Sequence, residues 1–327
     1  MLFPSAPPPA TAPRVVITGA GIVSPLGMGW GPNAEGFSRG RAAFRPVTLF
    51  DVSRQRVKTA GEVDLPADLP AMRLTARQKR RLDRASTMLL LAAQEAWVQA
   101  GWQTGQRLPL VLGTTAGGMT LGEDYFRQAT REPCRHHRQA TRAIHYQPQV
   151  QARLVLDALG LDGPITIISN ACASGSNAIG HAWELLRRGE AECALTGGYD
   201  ALSTMVFSGF DALQALSPGV CRPFDAGRDG LALGEGAAVL TLETLEHARR
   251  RNAEILGELI GYSTGIDQHH LTQPHPRGET ALAVMKLATT GAGLRPEDVD
   301  YVNAHGTGTV LNDGSEALAI SAWTRCT

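Results

Sequence analysis

A strand, a sharp turn, a long helix and a second strand follow one another over residues 165–198, and that succession predicts an α/β fold. Ile165, Ile167 and Ile168 form a β-branched run bounded by Gly163-Pro164, which favours strand over helix. From 173 to 186 the residues are mostly small or apolar, which suits a helix packed on nearly every side. A further apolar run closes on Gly197-Gly198.

Cys172 falls in the turn, at the mouth of that helix. The thiolate is the nucleophilic form, and a thiol with a pKa near 8.5 is only a few per cent ionised at neutral pH. A helix N-terminus stabilises an anion by up to ~2 kcal/mol in a partly buried setting. At ~1.36 kcal/mol per pKa unit, roughly half the thiol is then ionised. The alternative is a small buried hydrophobe, the commoner fate of a lone cysteine.

The chain has 327 residues, 43% of them apolar, enough for a large core in one or two domains. Its 31 basic and 31 acidic side chains cancel, so no overall field steers it to nucleic acid or an anionic membrane. Five irregularly spaced cysteines without a CxxC pair point to a reducing compartment rather than a disulfide framework. The opening MLFPSAPPPATAP lacks the basic and apolar regions of a signal peptide and reads as a disordered leader over 1–13. No apolar run is long enough to span a bilayer, and a soluble cytoplasmic protein is expected.

Residues 14–19 read as a β-branched strand entering GAGIVSPLG, where the third glycine of a dinucleotide fingerprint is missing. Arg73, Arg77, Lys79, Arg80, Arg81 and Arg84 cluster before an apolar helix over 87–100, and a cluster of this kind is usually a solvated face. LPLVLGTTAGGM, 108–119, reads as a buried strand running into a glycine-rich turn. His136-His137 lacks a third ligand at metal spacing. In RPFDAGRDGLALGEG, Arg222, Asp225, Arg228, Asp229 and Glu235 predict a structural ion-pair network before a strand over 237–242. Strands over 258–262 and 299–303 and a helix over 278–291 follow, with His269, His270 and His275 in a loop between them. His305 stands at the end of the 299–303 run, and Gly306 and Gly308 let a substrate approach the backbone. A structural histidine remains the alternative reading.

SNACASGSNAIG around Cys172 resembles the nucleophile region of the β-ketoacyl-acyl carrier protein synthases, elongating condensing enzymes of the thiolase superfamily. VVITGAGIVSPLG, LSPGVCRPFDAGRDGLALGEGAAVLTLE and YVNAHGTGTVLND resemble further family segments in the same order. The resemblance implies a thiolase-like layered α-β-α-β-α fold, with an N-terminal half over 14–257 and a partial C-terminal half over 258–327. It implies that Cys172 takes an acyl group from acyl carrier protein. Decarboxylation of malonyl-acyl carrier protein then gives an enolate that attacks the acyl-cysteine, in fatty acid or polyketide-type biosynthesis. By the same resemblance His305 donates to the malonyl thioester oxygen, and Thr307 and Thr309 hold the pantetheine arm. Arg77, Arg80 and Arg81 are the candidate carrier-protein docking surface. Met205, Phe207 and Phe210 border the acyl pocket, though core packing explains them equally.

No metal or other cofactor is implied, and the expected partner besides the carrier protein is a second ketosynthase-like chain, identical or not. Family members continue past NDGSEALAI with a lysine-containing segment, a second histidine in a GHxxGAAG-like motif and a glycine-rich loop, whereas this sequence runs into SAWTRCT. Glu316 matches a glutamate whose usual lysine partner lies in that segment. The expectations are therefore an incomplete second half with an unpaired sheet edge, and weak condensation by these residues alone. Other readings are a non-catalytic partner of the chain-length-factor type, a biosynthetic thiolase and a Cys-His hydrolase.

Overall fold

The computed structural model describes residues 12–131 and 140–324. Nearly all of the expected leader, together with His136 and His137, lies outside the described residues. The strands are β1 (Val15–Ser24), β2 (Gly27–Met28), β3 (Arg45–Pro46), β4 (Thr59–Ala60), β5 (Leu110–Gly113), β6 (Ile165–Ile168), β7 (Cys193–Asp200), β8 (Gly236–Thr244) and β9 (Gly257–Leu259). The first helices are α1 (Trp30–Ser38), α2 (Ala76–Lys79), α3 (Arg84–Ala100), α4 (Met119–Arg131), α5 (Ala140–His145) and α6 (Pro148–Leu159). They are followed by α7 (Ser174–Arg187), α8 (Thr204–Ala212), α9 (Leu245–Arg250), α10 (Glu279–Gly291) and α11 (Val310–Thr324). The chain divides into two compact units, each discontinuous in sequence: 1–44, 61–204 and 234–259 in the first, 45–60, 205–233 and 260–327 in the second.

The first unit is a mixed sheet of order β2-β1-β8-β7-β5-β6, with β9 paired to β1. β5 runs parallel to β6 and β7, while β8 is antiparallel to β7 and β1. Strand side chains alternate between faces, so Leu110 and Leu112 join the core formed with α3 and α6, and Val111 joins the core formed with α7. The result is a helix-sheet-helix sandwich.

On one face, α3 starts at Asp83, whose carboxylate accepts from the Ser86 amide at 2.9 Å, and stops at Gly101 in the left-handed region. Met88, Leu89, Ala92, Ala93 and Ala96 recur at helical spacing and are buried. The small residues of β1 explain how closely α3 approaches: a Cβ on Gly19 or Gly21 would sit 2.1 or 2.0 Å from the Ala96 or Ala92 carbonyl oxygen. GAG is thus a packing device. On the other face, Ala178, Ala182 and Leu186 line α7 at intervals of four and reach the sheet.

A buried carboxylate ties β8 to its neighbours. Glu243 Oε1 accepts from Thr18 of β1 at 2.5 Å and Trp102 at 3.0 Å, while Oε2 accepts from Arg251 Nε at 2.9 Å and lies 2.5 Å from His247 Nδ1. Burial alone would raise its pKa, but the hydrogen bonds from Arg251, Thr18, Trp102 and His247 outweigh that and hold it at about 2.

In the second unit the sheet structure among the described residues is the short antiparallel pair β3-β4. Two strand expectations are corrected. The run expected over 258–262 forms only as β9 and adds to the first unit's sheet beside β1. The run expected over 299–303 does not form a strand: Val299 is extended, at φ −108° and ψ 112°, but no ladder partner lies alongside among the described residues. Alternating sequence favours extended backbone, but a strand requires hydrogen bonds from a neighbour. The helix expected over 278–291 is present as α10, opened by Gly278 in the left-handed region. In this unit Leu271 is 96% exposed and Tyr301 78%, against the fully buried leucines of the first sheet.

Candidate functional site

In the first unit β6 ends at Ile168, whose carbonyl accepts from the Thr114 amide at 3.1 Å. Three residues on, Ala171 turns into the left-handed region at φ +57°, which is costly for any residue with a Cβ. The bend is held by its own surroundings. The Ala171 carbonyl accepts from the Ser174 amide at 3.0 Å, the Ser174 hydroxyl at 2.6 Å and the Thr115 hydroxyl at 3.0 Å. The Asn170 amide donates back to the Ser174 hydroxyl at 2.9 Å. Cys172 follows and is exposed, two residues before α7 begins.

The helix enters against bare backbone: a Cβ on Gly113 would sit 2.2 Å from the Ser174 carbonyl carbon and oxygen. A side chain on β5 at that point would push the start of α7, and the Cys172 turn with it, off the sheet.

The sequence places Cys172 at the mouth of a buried helix, and the structure leaves the residue exposed. The other two described cysteines differ. Burial, reinforced by the Glu243 and Glu192 carboxylates, pushes the Cys193 thiol up to about 12, and burial also raises Cys221. Neither is set up to ionise. Cys193, with His247 and Arg107, lines a cleft of about 570 Å³, and a second of about 510 Å³ lies between Trp30, Pro70 and Glu95. Cys172 lines neither.

His305 belongs to the second unit, exposed at the start of a loop that carries Gly306 at φ +51° and Gly308 at φ +78°. Two carboxylates of α11 fix the loop. Glu316 accepts from the His305 amide at 2.6 Å and the Gly306 amide at 2.9 Å. Asp313, buried, accepts from the Gly308 amide at 3.1 Å and the Phe224 amide at 2.8 Å, with Arg228 Nε 3.7 Å away. The hydroxyls of Thr307 and Thr309 lie 2.9 Å apart, so the two residues form one polar pair. Sequence reasoning saw Glu316 only through a missing lysine and did not single out Asp313; the spacing ND-x-x-E at the head of a helix is the signal both leave.

The charged block separates into two roles. Glu235 is buried in the first unit, where it receives Arg84 Nε at 2.8 Å and the Val63 and Leu202 amides. Arg84 therefore leaves the basic cluster for a structural pair. In the second unit Asp225 accepts from the Gly227 amide at 2.7 Å, Asp229 accepts from Ser217, and Arg228 donates to the Thr309 and Val310 carbonyls. Arg77 and Arg80 are exposed and Arg81 is half-buried. Met205 is 65% exposed, Phe210 half-buried, and Phe207 wholly buried with its ring edge-on to Phe50 at 5.6 Å. His269 and His275 pack ring to ring at 5.1 Å, their amides both bound by Asp267. Among the described residues no group of three His, Cys, Asp or Glu is arranged to hold a metal ion, and no helix is long and apolar enough to cross a membrane.

Comparison with known proteins places these motifs in context. Residues 12–248 match the family description "Beta-ketoacyl synthase, N-terminal domain" and 256–325 match "Beta-ketoacyl synthase, C-terminal domain". A putative polyketide beta-ketoacyl synthase 1 of Streptomyces halstedii is 38% identical over 323 residues, covering 94% of this chain and 76% of that protein. The 3-oxoacyl-(acyl-carrier-protein) synthase 2 of Staphylococcus aureus (strain COL) is 36% identical over 317 residues, with the same two coverages. Among solved structures, the ishigamide ketosynthase/chain length factor superposes with a TM-score of 0.87 at 31% identity, covering 96% of this chain and 78% of that one. Matched along both domain descriptions, by sequence and by fold, the chain belongs to the β-ketoacyl synthase family.

Proposed function

We propose that this chain is a β-ketoacyl-acyl carrier protein synthase acting in fatty acid or polyketide-type biosynthesis. The observation that carries the reading is the exposed Cys172 thiol, held on a left-handed bend at the entrance to α7. In the first half-reaction the Cys172 thiolate attacks the thioester carbonyl of an acyl-carrier protein. The tetrahedral adduct collapses, the carrier's thiolate leaves and takes up a proton, and the acyl group stays on sulfur. In the second, malonyl-carrier protein loses carbon dioxide and the enolate carbon attacks the acyl-cysteine carbonyl. Sulfur leaves as thiolate and a β-ketoacyl-carrier thioester is released.

His305 donates to the malonyl thioester oxygen as negative charge gathers there, and such a donor contributes most when it is already in place. The Glu316 bonds to the His305 and Gly306 amides support that preorganisation. The Thr307 and Thr309 hydroxyls bind the pantetheine arm. Arg77, Arg80 and Arg81 receive the acidic carrier protein, and Met205, Phe207 and Phe210 border the acyl chain. A second ketosynthase-like subunit completes the assembly.

The test is incubation with a radiolabelled acyl-carrier thioester. Stable label on the Cys172 peptide, discharged as β-ketoacyl product on adding malonyl-carrier protein, is expected. Release of free acid would instead identify a hydrolase. No label at all would identify a non-catalytic partner of the chain-length-factor type.

A further inference from the structure

Behind the Cys172 turn lies a second turn, at residues 114–117, gathered around one carboxylate oxygen. Asp200 closes β7, and its Oδ1 accepts from the Thr114 hydroxyl at 2.7 Å, the Ala116 amide at 2.7 Å, and the Thr115 and Gly117 amides at 3.1 Å each. Oδ2 takes the Thr115 amide, at 3.3 Å. Four donors on one oxygen leave this turn little freedom, and a charged acceptor strengthens each bond. The Thr115 hydroxyl points out of the turn and donates to the Ala171 carbonyl at 3.0 Å.

That carbonyl belongs to the peptide joining Ala171 to Cys172. A trans peptide is planar, so fixing the direction of its C=O also fixes its N–H and the position of the next Cα. Ser174 holds the same carbonyl from the helix side, through its amide and its hydroxyl. Among the described residues, Thr115 is the donor that ties it to a segment outside the 165–198 motif.

We propose that Asp200 and Thr115 are positioning residues for Cys172: Asp200 freezes the 114–117 turn, and Thr115 passes that order to the peptide that carries the nucleophile. The inference rests on Cys172 being the acyl acceptor. It concerns how the sulfur is aimed, and neither residue touches substrate. Asp200 and Thr115 stand 85 positions apart, so no local pattern announces the pair.

The test compares Thr115→Val, Thr115→Ser and Asp200→Asn with the unaltered chain. The first readout is the alkylation rate of Cys172 by iodoacetamide, followed on its own tryptic peptide, which needs no acyl donor. The second is the kcat and KM of acyl transfer from the carrier thioester. Losing one positioning hydrogen bond is worth up to about tenfold. Thr115→Val is expected to lower both the alkylation rate and kcat by that factor with KM unchanged, and Thr115→Ser to restore them. Asp200→Asn, which keeps one acceptor oxygen but not its charge, is expected to fall between.

Unchanged alkylation and kcat in Thr115→Val would overturn the proposal, and so would a Thr115→Ser variant as slow as Thr115→Val. Should Thr115→Val melt below the assay temperature, Asp200→Asn carries the test alone, and its reacting at the unaltered rate would overturn the proposal. An unaltered chain that alkylates at Cys172 but never takes up an acyl group would refute the proposed function, leaving the positioning measured independently by iodoacetamide.

Discussion

The turn that carries Cys172 and the loop that carries His305 are built in opposite ways. The first is anchored to a sheet: it leaves β6, packs its helix on the bare backbone of Gly113, and is held by hydroxyls from Thr115 and Ser174. The second has no strand behind it among the described residues, and takes its shape from Glu316 and Asp313 on α11, whose carboxylates gather the amides of His305, Gly306 and Gly308. In one case the bonds to the turn itself come from neutral hydroxyls on a packed sheet, with the nearest carboxylate, Asp200, one turn removed; in the other, carboxylates bind the loop's own amides directly. The two regions should therefore fail differently.

The largest effect separates them by chemistry. Cys172→Ala should abolish acyl labelling, a loss above about 10³-fold, as expected for removing a nucleophile. It should leave the melting temperature nearly unchanged, because the residue is exposed. Mass spectrometry of the intact chain after acyl transfer reads the first, calorimetry the second.

The next effect is acid. Glu243 has a folded pKa of about 2 against an ordinary 4.5. Below 4.5 the unfolded chain binds the proton and the folded one resists it, so this contribution is complete above that pH. It is lost as pH falls toward 2, and amounts to about 3 kcal/mol for such a shift. Urea melts of the unaltered chain and Glu243→Gln at pH 7 and pH 3 should converge toward low pH. Parallel curves would show that the network does not stabilise through its charge.

Smaller again is Gly113→Ala. The added methyl meets the Ser174 backbone, and overpacking of this sort costs about 1–3 kcal/mol. The cost should appear as lower stability together with slower Cys172 alkylation, because the displaced atoms belong to its turn.

The smallest is Glu316→Ala. Losing the acceptor for two amides should cost about 1 kcal/mol, and amide exchange at His305 and Gly306 should quicken by roughly tenfold or less. Exchange in β5 and β7 should not change. If it did, the two regions would not be independently ordered.

What the sequence disclosed follows the same division. The strand at Ile165–Ile168 and the helix from Ser174 could be read from β-branched and small residues because burial on both faces imposes a local pattern. The thiol's place before the helix was legible for the same reason. Its exposure was not, since the left-handed Ala171 carries no compositional mark. In the second unit the reading over 299–303 met extended backbone at Val299 but supplied a ladder that needs a neighbour. Long-range polar partners were the least visible: Glu235 with Arg84, and Glu243 with Thr18, lie 151 and 225 positions apart.

Alanine at residue 171 has a consequence for how the Cys172 sulfur moves. Glycine would enter the left-handed bend more readily, but would leave it as readily and let the sulfur wander. With a methyl group present the bend is harder to form and, once clamped, has fewer alternatives to visit. The Cys172 sulfur sits on a stiff hinge, and a looser one would trade accuracy of aim for ease of folding.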